Sequence, residues 1–183
     1  LFRSAAVWLG HASLLLTLGD TTLAVDPVLS PRIGPRILGR TWGLARLQPP
    51  PVAPDALRGV DAVLLTHAHF DHLDRPTLRS ISHERTTVVV PHRCARLVPH
   101  GFRRVVELAP GDHLRLNDVD IEAMETRHWG ARFALDRRRG VCAYVLRHDE
   151  GSVLLPGDTA HTHAFDTLRH IDLACFGIGA YDP

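Results

Sequence analysis

The chain contains no lysine: all 21 of its basic residues are arginine. A lysine nucleophile or Schiff base is thereby excluded, and the bias reads as one of the source genome. Methionine occurs once, at Met124, and cysteine three times, at Cys94, Cys142 and Cys175. An odd number of widely spaced cysteines supports neither a disulfide framework nor a thiolate zinc knuckle, and it points to a reducing, cytoplasmic compartment. No apolar run approaches the ~20 residues of a membrane helix, and no basic-then-apolar leader opens the sequence. An excess of one charge is missing too, since 21 basic residues meet 20 acidic ones. Such a balance gives no field that would draw in nucleic acid, and no basic stripe with interleaved aromatics appears, so no nucleic-acid partner is expected.

What is present is globular. With 183 residues, 45% hydrophobic and 22% charged, the chain is expected to form one domain over residues 1–183. "AAVWLGHASLLLTLGDTTLAVDPVLS" reads as two or three short strands, with Gly19 and Asp20 turning "SLLLTL" into "TTLAV". Ser30 to Pro54 is rich in proline, glycine and arginine and reads as a long loop. It is either a lid or binding surface, or a solvated excursion. Strands are expected at "GVDAVLLT", "TTVVV", "RVVEL", "HLRL", "VDIEAMET", "CAYVLRH", "SVLLP" and "DLACFGIGA". Helices are expected at "DRPTLRSIS", begun by Asp74 and Pro76, around "HRCARLV" and near "HAFDTLRH". Strands mixed with helices, and hairpins at both ends, indicate a mixed-sheet α/β or α+β sandwich.

The densest chemistry lies in "THAHFDHLD", residues 66–74, directly after the apolar "DAVLL". His67 and His69 stand two apart, so on extended backbone their rings project to one side, while Asp71 and His72 lie beyond, where the chain must turn. Burying so many polar groups without a partner is costly. Imidazole nitrogen and carboxylate oxygen suit zinc and similar ions at about 2.0–2.2 Å, and two metals about 3.5–4 Å apart can share such a loop. Two other strand ends supply further ligands: His128 after "VDIEAMET", and Asp158 after "SVLLP". Asp26 closes "TTLAV" ahead of Pro27. It reads either as the residue that orients a ligand histidine or as an ordinary turn residue. The remaining histidines, including His83, His92, His100, His113, His148 and His170, show no partner spacing, and His11 and Trp129 stay ambiguous.

"THAHFDHLD" resembles the signature loop of the metallo-β-lactamase superfamily. More narrowly, "WLGHASLLL", "AVDPVLSPR", "RHWGAR", "PGDTA" and "IGAYDP", in that order, resemble the branch containing N-acyl-phosphatidylethanolamine-hydrolysing phospholipase D and its bacterial relatives. The resemblance implies an αβ/βα four-layer sandwich, here incomplete at both ends. It implies two Zn2+ ions, one held by His67, His69 and His128, the second by Asp71 and His72, with Asp158 bridging. His69, where flavo-diiron members usually carry glutamate, favours hydrolysis over redox chemistry. The branch's second metal takes a further histidine beyond the segment matching "GAYDP", so the chain is expected to be a fragment; His161 and His163 are poor substitutes.

The expected activity is that of a zinc-dependent hydrolase using a metal-bridged hydroxide, with Asp71 catalytic as well as ligating. The resemblance implies a phosphodiester, of a small-molecule or lipid-type substrate, with peripheral membrane contact. Trp42 with Arg36 or Arg40 is a candidate contact for acyl chain and phosphate. A lactonase or other carboxylic-ester hydrolase on the same site, and a non-catalytic metal-binding fragment, are the alternatives.

Overall fold

Alternation in "TTLAV" sends Leu23 and Val25 to one face of a sheet and Ala24 to the other. The computed structural model, which describes residues 4–133, 136 and 138–178, builds two sheets on that principle. β1 (Ala5–Gly10), β2 (Ser13–Leu18) and β3 (Thr21–Val25) form an antiparallel meander. Gly19 and Asp20 make the expected turn, Gly19 with φ +59. The sequence between holds β4 (Arg32–Ile33), β5 (Arg36–Ile37), β6 (Arg40–Thr41) and β7 (Leu44–Ala45). β4 pairs with β7 and β5 with β6, so the expected loop is a nested hairpin arm.

β8 (Ala62–Leu64), β9 (Thr87–Pro91) and β10 (Arg104–Leu108) continue the first sheet in parallel, giving the order β1-β2-β3-β8-β9-β10. Between β8 and β9 runs α1 (Arg75–Ile81), capped by the Asp74 carboxylate, which accepts from Thr77 N, and opened by Pro76. The second sheet is β11 (His113–Leu116), β12 (Val119–Met124), β13 (Ala143–His148), β14 (Gly151–Leu155) and β15 (Leu173–Ala174), in that order.

The sheets face each other across one apolar layer. Leu16, Leu23, Val25, Leu64 and Val89 meet Ile121, Tyr144, Leu146, Val153 and Leu155, all buried. On the outer face of the first sheet, Ala24, Val63, Leu65, Val88 and Val90 pack with Leu57, Leu73, Leu78 and Ile81. The chain is an α/β sandwich, with helix against the first sheet; among the described residues no helix lies on the second.

Two expected helices are absent. Residues 92–98 lie between Pro91 and Pro99, and only Ala95–Leu97 form a 3-10 turn, because Val98 is extended ahead of proline. Around residues 163–170, the hydrogen bonds from Asp166 N to His163 O and from Leu168 N to Phe165 O close isolated turns. The last strand is limited to Leu173–Ala174, and of "IGAYDP" all but Ile178 lies outside the described residues.

Candidate metal centre

β8 ends at Leu64 and the next residues hold the ligand loop in place. Thr66 N donates to Asp26 Oδ1 at 2.8 Å, and Thr66 Oγ1 donates to Asp26 Oδ2 at 2.5 Å. From the second sheet, Tyr144 Oη donates to Leu65 O and Cys142 N to Thr66 O, both at 3.0 Å. Further along, Arg132 Nη1 donates to Ala68 O at 2.7 Å and to Leu73 O at 2.9 Å, with its guanidinium 3.9 Å from the centre of the Phe70 ring. The loop is thus clamped from three sides.

His128 and Asp158 reach it together. Ala160 N donates to Arg127 O at 2.8 Å, and Arg127 N to Thr159 Oγ1 at 3.1 Å. These bonds zip the two strand ends. Gly157, with φ +62, passes so close that a Cβ there would stand 2.8 Å from Thr66 Cβ; only glycine lets Asp158 approach the loop.

His67 Nε2 lies 3.0 Å from His69 Nδ1, and His128 Nε2 lies 3.2 Å from the same atom. Hydrogen bonds cannot account for this crowding. The Thr66 hydroxyl gives its proton to Asp26 and so accepts from His67 Nδ1, 3.0 Å away, which leaves His67 Nε2 as a lone pair. One His69 nitrogen then faces two others, yet has at most one proton to offer. Co-ligands of one tetrahedral ion with bonds of about 2.0–2.1 Å stand about 3.3 Å apart, so the three nitrogens fit a shared cation. With Asp158, 3.9 Å from both His67 Nε2 and His128 Nε2, they form one group that could hold a metal.

The second group is His72, Asp71 and His11. His72 Nδ1 is 2.7 Å from Asp26 Oδ2, which leaves Nε2 aimed into the site. That buried nitrogen has no hydrogen-bond partner among the described residues. Asp158 Oδ2 at 3.4 Å and Asp71 Oδ2 at 3.9 Å are its nearest carboxylates, too distant for good hydrogen bonds. Asp158 therefore stands between both groups.

Electrostatics follow the geometry. Burial, then the imidazoles of His72, His69 and His128, hold His67 down to about 2, neutral and ready to ligate. Burial likewise lowers His128. For His72 burial opposes the charge, but Asp26 and Asp158 outweigh it and raise the ring to about 10. A proton there takes the place a cation would fill. His72 in turn holds Asp158 down to about 2 against its burial. Burial works against ionised Asp71, but the His11 hydrogen bond and His72 keep its carboxyl well below the usual range.

Every residue expected at the site, His67, His69, Asp71, His72, His128, Asp158 and Asp26, is brought to it. Asp26 lies against the ring of His72, 2.7 Å from its Nδ1. His11, ambiguous in the sequence, contacts Asp71; Thr66 and Arg132 were not singled out and contact the ligand loop, with "WLGHASLLL" and "RHWGAR" containing His11 and Arg132. His161 and His163 pair with each other, ring centres 5.1 Å apart, and His163 with Asp166, away from both groups. His148 pairs with Asp118, and His92 with Glu107.

Two spaces open from the site. One of about 140 Å³ is lined by His11, Asp26, Thr66, Leu155, Gly157 and Asp158, room for several waters. A larger cleft of about 600 Å³ is lined by Trp8, His11, Ile33, Arg46, Leu47 and Pro49. Trp42, Arg36 and Arg40 lie outside that lining.

Residues 21–183 match the family described as the beta-lactamase superfamily domain. An uncharacterized protein of Mycobacterium tuberculosis is 30% identical over 190 residues, covering 98% of this chain and 50% of that protein. The N-acyl-phosphatidylethanolamine-hydrolyzing phospholipase D 1 of Caenorhabditis elegans is 26% identical over 196 residues, covering 97% and 54%. The chain spans about half the length of these curated relatives. Among solved structures, that of a possible metal-dependent hydrolase from Veillonella parvula superposes with a TM-score of 0.70 at 22% identity, over 91% of this chain and 66% of that one. At such identity the likeness is one of fold.

Proposed function

Because the chain belongs to the beta-lactamase superfamily domain family, we propose that it is a metal-dependent hydrolase whose site holds two zinc ions and cleaves a phosphodiester. The observation that carries this reading is the convergence of His67 Nε2 and His128 Nε2 on His69 Nδ1, at 3.0 and 3.2 Å, joined through Asp158 to the unpartnered, buried His72 Nε2. His67, His69 and His128 would hold one ion, Asp71 and His72 the other, with Asp158 shared. The nitrogen and carboxylate donor set suits zinc. Bound there, zinc lowers the pKa of water from about 15.7 to near 7 and polarises the substrate oxygen.

The chain's own groups do the rest. Asp71 orients the attacking water and accepts its proton, as the water oxygen bonds to phosphorus and the ester P–O bond breaks; the proton then passes to the departing alcohol. Asp26 and Thr66 keep the ligand rings in the tautomers that face the site. No side-chain nucleophile is required.

A lipid-type substrate is supported by the name of the Caenorhabditis elegans relative and by the arm. Leu38, Leu47, Leu44 and Trp42 are exposed at 99%, 97%, 81% and 62%. Four arginines, Arg32, Arg36, Arg40 and Arg46, lie between Asp26 and Asp55 with no acidic residue among them, a composition suited to an anionic, partly apolar surface. Parallel assays with bis-p-nitrophenyl phosphate and a simple lactone test the reaction class. Hydrolysis of the phosphodiester is expected to dominate by at least tenfold; preference for the lactone moves the reading to an ester hydrolase.

A further inference from the structure

We propose that His11 is the positioning residue that holds Asp71 at the second cation position, as Asp26 holds His72. The inference rests on the reading that Asp71 and His72 take a cation, and it concerns a residue upstream of the matched segment, which begins at residue 21.

His11 Nε2 lies 2.9 Å from Asp71 Oδ2, a contact spanning 60 residues. That separation is a hydrogen-bond length, and the pair is complementary: the imidazole N–H donates and the carboxylate oxygen accepts, which the crowded ring nitrogens of the first group cannot do for one another. The ring therefore serves the carboxylate rather than joining it on the metal. It leaves the other Asp71 oxygen unengaged by His11.

The backbone is shaped for this contact. The β1–β2 register slips between Trp8 and Gly10, and the corner places His11 at φ +50, a region that non-glycine residues seldom adopt. Trp8 Nε1 donates to His11 O at 2.7 Å and pins it there. Asp26 shows the same feature, with φ +41. Unusual backbone at two corners that both hold the ligand loop points to a shared purpose.

The corners are also tied to each other. Ser13, buried two residues after His11, donates through Oγ to Asp26 O at 2.8 Å and accepts from Val28 N at 3.0 Å. One structural unit, the β1–β3 meander, thus carries the partner of each amino acid at the second position. His11 and Trp8 border both the small cavity over Asp158 and the cleft beside the arm, so His11 is open to solvent where Asp26 is not.

Cobalt(II) titration of the chain, followed by visible absorption, tests the proposal. Wild type is expected to take two distinguishable equivalents. His11→Ala weakens the second by about 10- to 100-fold, the range for loss of a group that orients a ligand, and leaves the first unchanged, which also reports that the fold is intact. His11→Gln, which keeps a donor, retains most of the affinity. In an Asp71→Ala background His11→Ala has no further effect. A second equivalent bound as tightly by His11→Ala as by wild type overturns the proposal. So does an effect that persists undiminished without Asp71, or a glutamine variant as weak as alanine. Fewer than two equivalents in wild type overturns the two-cation reading itself, a result distinct from these.

Discussion

Asp26 Oδ2 lies 2.7 Å from His72 Nδ1, with both side chains at most 2% exposed. The same carboxylate accepts from Thr66 N and Thr66 Oγ1, so one buried acid sets the ring of a ligand and the start of the loop that carries it. Breaking a buried charged pair on one side is expensive. Asp26→Asn in the metal-free chain is expected to lose about 3 kcal/mol of stability, read as a lower urea midpoint at unchanged slope. A midpoint within error of wild type would show that the pair is dispensable.

Stability of the metal-free chain should peak near pH 6.5. His72, raised to about 10, favours the fold fully below its unfolded value of 6.5, and that contribution is lost as pH rises toward 10. His67, lowered to about 2, stays neutral in the fold while the unfolded chain takes up a proton below 6.5, so its contribution is lost as pH falls. Thermal melts across pH 5–9 should show both limbs. Added zinc should remove the alkaline one, since the metal replaces the His72 proton; an alkaline limb unchanged by zinc contradicts this.

Asp71→Ala should cut turnover by about 10²–10⁴, the usual contribution of a general base. Asp71 is partly exposed, so the melting temperature should hardly move. Full activity at unchanged metal content removes the role. Asp158→Ala, by contrast, should weaken both equivalents, because Asp158 faces both groups.

Arg132 spans the ligand loop, from Ala68 O to Leu73 O, while stacking on Phe70. Lysine offers a point charge without the planar fork. Arg132→Ala and Arg132→Lys should both weaken the first zinc equivalent, by about tenfold or more for alanine, measured by calorimetric titration. Equal binding in all three chains would mean that the loop holds its shape without the clamp.

The arm should bind anionic vesicles. Replacing Leu38, 99% exposed at the tip, by aspartate should lower cosedimentation with phosphatidylglycerol vesicles by about tenfold, the order of one leucine's transfer energy. Zinc content should not change. Equal sedimentation of both chains, or none of wild type, removes the lipid-surface reading.

Much of the candidate site was legible because its candidate ligands follow strand ends, and strands were legible from period-two alternation. "THAHFDHLD" after "DAVLL" needed no partner to be recognised. His128 and Asp158 followed from the same rule. His11 and Arg132 were not legible in that way, because each acts through contacts made across 59 to 64 residues and carries no local spacing. The helices expected at residues 92–98 and 163–170 failed for local reasons, flanking prolines in one and isolated turns in the other. The arm, too, hid its pairing, since two-residue strands leave no periodic trace.

Anomalous diffraction at the zinc edge, from crystals of the chain grown with zinc, tests the central claim most directly. Two peaks are expected, one within about 2.0–2.2 Å of His67 Nε2, His69 Nδ1 and His128 Nε2, the other at the same range from His72 Nε2 and Asp71. Zinc bound elsewhere, or no peak among these side chains, contradicts it.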